Sequence, residues 1–167
     1  MTAPVARHDP EATTRAVLDR LGLPYEILPC DPAFADTAAF CERYGYPPEA
    51  AANTIVVASK KEPKRYAACV VLATTRLDVN HAVRDLMGVS KCSFASAEEM
   101  AQLTGMAVGG VTVFGLPDGL PIYVDDRVMQ REWVILGTGG RNGKVKMSPE
   151  GLRRLPGARI APIGVRL

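Results

Sequence analysis

Two glycine-rich segments constrain this chain most: Val108-Gly109-Gly110-Val111-Thr112-Val113-Phe114-Gly115 and Gly137-Thr138-Gly139-Gly140-Arg141-Asn142-Gly143. Each follows or interrupts an apolar run, so each is expected as a loop at the rim of a sheet. Glycine lets main chain come close to a neighbour and turn its N–H groups toward it. Two such loops on one small chain point to a pocket that grips a polar or anionic group with backbone. Tight turns between strands are the plainer alternative.

The length of 167 residues is enough for one domain with a real core. Residues 1–167 are therefore read as a single domain. Apolar residues make up 47% and charged residues 23%, the balance of a globular protein. No apolar run approaches the roughly 18 residues of a membrane span. Met1 to Arg7 lacks an apolar signal segment, so a cytoplasmic location without membrane contact is expected. The four cysteines show no Cys-x-x-Cys spacing, and a reduced set of thiols is expected. The chain has only two histidines, which argues against a metal site. No organic cofactor is expected either.

The net charge of +2 is unevenly spread. Residues 127–167 carry nine Arg or Lys against Glu132 and Glu150, a net +7 that leaves the first 126 residues at −5. A basic C-terminal quarter containing one of the glycine loops would attract a polyanion such as RNA. A solvated basic face balanced by acids nearby in space is the competing reading.

Asp9-Pro10-Glu11 opens a helix: a capping carboxylate, proline at the first helical position and an acid in the first turn. Gly22 ends it. Tyr25 to Leu28 reads as a strand, and Asp36 or Thr37 caps a second helix that runs to Gly45. Thr54 to Ala58 and Tyr66 to Thr74 form a hairpin around Lys60-Lys61-Glu62-Pro63-Lys64. The second of these runs is nearly unbroken in apolar residues, so it is expected to be buried on both faces. Asn80 to Met87 reads as a helix, and Lys91 to Ala95 as a short strand. Ser96-Ala97-Glu98-Glu99 is a capping box for a helix ending at Gly105. Strands follow at Pro121 to Asp125, Arg131 to Leu136, and around Val145 and Met147. Gly151 to Leu155 is a terminal helix, and Ile160 to Val165 a closing strand or coil. Asp125 and Asp126 read as solvated acids at a strand end. The expected fold class is mixed α/β, with a curved mixed sheet or partial barrel and surrounding helices.

The order of these elements resembles the YbaK/EbsC family, freestanding relatives of the editing domain inserted in bacterial prolyl-tRNA synthetases. The resemblance rests on Leu21-Gly22-Leu23-Pro24-Tyr25, Thr54-Ile55-Val56-Val57, Arg76-Leu77-Asp78 and Ala95-Ser96-Ala97-Glu98-Glu99. It rests most on Thr104 through Gly115, in the form Thr-Gly-x-x-x-Gly-Gly-Val-x-x-Phe-Gly. Gly139-Gly140-Arg141 followed by Met147-Ser148-Pro149-Glu150-Gly151-Leu152 completes it.

The resemblance implies a trans-editing deacylase that hydrolyses the ester of a mischarged tRNA. Its partner would be the acceptor end of aminoacyl-tRNA, and a synthetase alongside it stays open. The backbone N–H groups of Gly109, Gly110 and Val111 would hold the oxyanion. Thr112, Phe114, Gly137, Thr138, Gly139, Gly140 and Arg141 would bind the acyl group and the terminal nucleoside. For Phe114 core packing is the favoured reading, and Thr138, read first as a site residue, has turn stabilisation as its alternative. Two positions depart from the family pattern. Asn53 stands where prolyl-tRNA editing members carry a lysine, and Val113 where the first loop tends to have proline. Lys60 and Lys61 could restore the charge or decorate an exposed hairpin. Two other readings stay open: a weak or inactive binder of an acceptor end or nucleotide, and a hydrolase of some other small ester.

Overall fold

The computed structural model describes residues 9–107 and 109–166. Helix α1 (Pro10–Leu21) starts where the Asp9 carboxylate accepts hydrogen bonds from the Glu11 and Ala12 N–H groups, at 3.1 and 3.3 Å. Strand β1 (Tyr25–Pro29) leads to α2 (Thr37–Tyr44), where Asp36 occupies the cap position without a side-chain cap bond. The hairpin joins β2 (Ala52–Ser59) to β3 (Tyr66–Leu72). After β4 (Thr75–Leu77), the expected helix begins as a wide π-helical turn at Val79–Val83. It tightens into α3 (Arg84–Met87). Strand β5 (Cys92–Phe94) and α4 (Ala97–Thr104) follow, the latter with its capping box complete.

The C-terminal half contributes β6 (Ile122–Asp125), α5 (Asp126–Met129), β7 (Val134–Gly137), β8 (Gly143–Met147) and α6 (Glu150–Arg153). The chain closes with β9 (Ala158–Ala161) and β10 (Gly164–Arg166).

These strands build a mixed five-stranded sheet in the order β5-β2-β3-β6-β9. In it β2 runs antiparallel to β5 and β3, while the β3–β6 and β6–β9 pairs are parallel. An antiparallel sheet, β1-β8-β7, meets it through a parallel bridge between Ala51 and Ile135. A third pair joins β10 to β4. The fold is therefore the mixed α/β class expected.

Strand β3 is buried on both faces because it sits between two cores. Ala68, Val70 and Leu72 point into a cluster with Leu18, Phe114, Leu136 and Leu152. Ala67, Cys69 and Val71 point into a second cluster with Val83, Met87 and Ile163. A smaller third cluster gathers Leu28, Cys30, Phe40 and Ile135. Alternating side chains on one strand thus feed opposite layers.

Two expectations are corrected here. The Ile160 to Val165 run divides into two strands of different sheets, with Pro162 between them. Proline lacks the N–H that would continue a ladder. Asp125 is fully buried, not solvated. One of its oxygens accepts the N–H groups of Ile163 (2.9 Å) and Gly164 (3.0 Å), which ties the divided run to β6. No helix among the described residues is long and apolar enough to cross a membrane.

Candidate functional site

A cleft of about 520 Å³ opens where the start of β2 lies beside the end of β7. Ala51, Ala52, Ile55, Val56, Ile135 and Leu136 give it apolar walls, and α4 adds Ala97 and Met100. Its polar groups come from four places: Asp36 and Thr37 at the start of α2, Asn53 on β2, Gly109 and Val111 in the first glycine loop, and Lys144 on β8. Phe94, the last residue of β5, stands at its edge and is 59% exposed.

The two glycine loops lie against each other. The Gly139 N–H donates to the Gly110 carbonyl at 2.6 Å, and the Ala107 N–H donates to the Gly139 carbonyl at 3.1 Å. A Cβ on Gly110 would sit 2.0 Å from the Gly140 oxygen; one on Gly137 would sit 2.6 Å from the Gly110 oxygen. Both contacts are backbone on backbone, so only glycine allows this approach.

The expected site residues divide into two groups. Gly109, Val111, Asn53 and Gly137 line the cleft. Among the described residues, the Gly109 and Val111 N–H groups have no hydrogen-bond acceptor. The Asn53 amide oxygen accepts the Thr37 hydroxyl at 2.5 Å, which leaves its NH₂ end for the cleft.

The others stand apart from it. The Gly110 N–H donates to the Ala107 carbonyl at 3.0 Å, so it is spent inside its own loop and is not a donor to a ligand. Phe114 is 0% exposed in the main core, and Thr112 is equally buried outside the cleft. Neither can contact a ligand. The Thr138 hydroxyl donates to the Gly143 carbonyl at 3.1 Å and lies 3.3 Å from a Glu11 carboxylate oxygen, so its bonds hold the loop to itself and to α1. Gly139 packs on Pro10 and Gly140 on the Glu11 side chain. Arg141 crosses over Gly109, donating to the Pro32 carbonyl at 2.7 Å and approaching the Asp36 carboxylate to 3.7 Å. Lys60 and Lys61 sit exposed on the hairpin turn, outside the cleft.

Sequence reasoning missed Lys144. Val145 and Met147 alternate into the core, which assigns Lys144 and Lys146 to the opposite, outer face. Lys146 keeps to that pattern, its ammonium 4.4 Å from the Trp133 ring centroid. Lys144 is instead only 4% exposed. Its ammonium donates to the Gly109 carbonyl at 3.1 Å and lies 5.9 Å from the Phe40 ring centroid. Burial pushes this amine below its ordinary value, while Cys30, Asp36 and Cys41 oppose the shift and Arg141 adds to it.

A cleft with apolar walls, unspent main-chain donors and a buried cation suits a ligand with an apolar part and an oxygen-rich end. The family model for the aminoacyl-tRNA editing domain matches residues 31–155. The crystal structure of a hypothetical protein superposes with a TM-score of 0.82 at 25% identity, covering 92% of this chain and 99% of that one. A candidate trans-editing enzyme for prolyl tRNA synthetase shares the fold, with a TM-score of 0.79, 21% identity and 99% of both chains covered. The chain belongs to the aminoacyl-tRNA editing domain family, to which its YbaK-like segments pointed.

Proposed function

We propose that this chain is a trans-editing deacylase, residues 1–167 acting as one unit on the ester of a mischarged tRNA. The observation that carries the reading is the pair of unspent N–H groups, Gly109 and Val111, on the wall of an apolar cleft. Ester hydrolysis concentrates negative charge on the carbonyl oxygen. Each preorganised donor aimed at it lowers the barrier by about 3–4 kcal/mol. The acyl side chain would lie against Ala51, Ile55 and Met100, and the Asn53 NH₂ would bond its carbonyl or the ribose. Phe94 offers an exposed ring at the edge for the terminal adenine. A water completes the reaction, so no side-chain nucleophile is needed. Such a substrate fits a cytoplasmic protein.

Purified protein incubated with a panel of mischarged tRNAs tests this. The tRNA for proline carrying a wrong amino acid comes first, because the fold neighbour is described as a trans-editing enzyme for prolyl tRNA synthetase. Release of amino acid well above the buffer rate is expected for at least one member. Release at the buffer rate across the panel would sink the reading. A second reading, binding without turnover, is favoured by the uncharged Asn53 and the spent Gly110 N–H. It predicts salt-dependent tRNA affinity with no release.

A further inference from the structure

Lys144 is the one buried charge among the described residues that line the cleft. Its ammonium carries three donors. One goes to the Gly109 carbonyl. Among the described residues, no carboxylate oxygen lies within 4 Å of the ammonium. A buried cation without a carboxylate is costly to keep. This one lines the same cleft as Gly109 and Val111, whose N–H groups have no acceptor among the described residues. The acceptor that holds it is the carbonyl of Gly109, whose own N–H is unspent, so the ammonium is fastened to the glycine loop that lines the cleft.

Resting on the deacylase reading above, we infer that Lys144 is a catalytic residue. Its ammonium joins the Gly109 and Val111 N–H groups in holding the ester carbonyl oxygen as that oxygen becomes negative. Water adds its oxygen to the carbonyl carbon, and the C=O electron pair moves onto the held oxygen. The pair returns as the ester C–O bond breaks. The proton lost by the water ends on the departing ribose oxygen, which leaves as a hydroxyl. Lys144 keeps its own protons throughout and acts by charge.

The competing role is a tie: Lys144 fixes the glycine loop through the Gly109 carbonyl and touches no substrate. Two variants separate the roles. Lys144→Met keeps the stem and removes both charge and donor. Lys144→Gln removes the charge and keeps an N–H for the carbonyl. Each is compared with wild type on the mischarged tRNA that wild type deacylates fastest, for kcat, KM and thermal midpoint. The expected result is a fall in kcat of about 10²–10³-fold in both variants, with KM little changed. The Met variant should melt no lower than wild type, since it removes a buried charge without a carboxylate partner. Wild-type kcat in Lys144→Gln would overturn the inference and leave Lys144 as a tie. A loss confined to KM, or a changed preference among acyl groups, would also overturn it by placing the ammonium on the substrate's side chain. Should the Met variant fail to fold, Lys144→Gln alone decides. Wild type that releases no amino acid overturns the deacylase reading itself, before any variant is compared.

Discussion

A β-carbon on Gly110 would sit 2.0 Å from the Gly140 carbonyl oxygen, and that oxygen is main chain. No rotamer relieves such a contact, so the two loops must part. Gly110→Ala is expected to cost the upper end of the ~1–3 kcal/mol of overpacking. Urea denaturation reads the loss. Deacylation should fall with it, because Gly109 and Val111 flank the displaced residue; wild-type stability would show that the loops separate freely. Phe94 gives the second prediction at this scale. Base stacking on an aromatic ring contributes about 1–3 kcal/mol. Phe94→Ala should therefore raise KM for mischarged tRNA about tenfold and leave kcat in place. An unchanged KM would remove Phe94 from the site. The sequence leaves Phe114 open to this role or to core packing, and the structure buries it. Nothing local tells that the first glycine loop folds back to bury Phe114 beside Leu18. Asn53 was legible as a site residue, but its partner Thr37 lies 16 residues upstream, beyond any local spacing rule.

Elements with chemical caps were read well, since their signals are local. In α4 the Ser96 hydroxyl accepts the Glu99 N–H at 3.0 Å, and the Glu99 carboxylate accepts the Ser96 N–H at 3.2 Å. That second bond holds Glu99 below its ordinary carboxylate range. Ser96→Ala removes one half of the box and is expected to cost about 1 kcal/mol. For a chain of this size that is roughly 2–4 °C in thermal midpoint, which calorimetry resolves. Because α4 brings Ala97 and Met100 to the cleft, a small rise in KM should accompany the loss. An unmoved midpoint would mean that packing alone holds the helix start. Strand faces were harder to read than helix ends. The alternation in β8 fixes which residues share a face but not what covers it. Only the presence of Phe40 and of the Cys30 segment next to Lys144 turns an apparently outer lysine into a buried one. The divided C-terminal run failed for a similar reason, since Pro162 marks a break without saying that the two parts join different sheets.

Across the whole molecule, the two-sided burial of the central strand was legible, but the meeting of two sheets at Ala51 and Ile135 was not. That bridge spans residues far apart in the chain, and it places β2 and the glycine loops at one cleft. The same depth of burial sets how the fold responds to alkali. All four cysteines are buried. Burial pushes every thiol up from the ordinary 9.0, and Cys69 reaches about 12. The folded chain therefore keeps thiol protons that the unfolded chain releases near pH 9. Their contribution to stability is full below that pH and is lost as the pH climbs toward the folded values. Lys144 works in the opposite sense. Its amine is lowered from 10.5, so the folded chain gives up that proton first and gains stability between the lowered value and 10.5. Four thiols outweigh one amine, and the net expectation is declining stability above about pH 9. Urea denaturation under reductant, from about pH 7 to 10.5, would show a plateau and then a fall. Cys69→Ala should make that fall shallower by about one proton, or about 1.4 kcal/mol per pH unit. An equal slope in the variant would mean that the Cys69 thiol ionises alike in the folded and unfolded chains, which its place between β2 and β6 in the central sheet argues against.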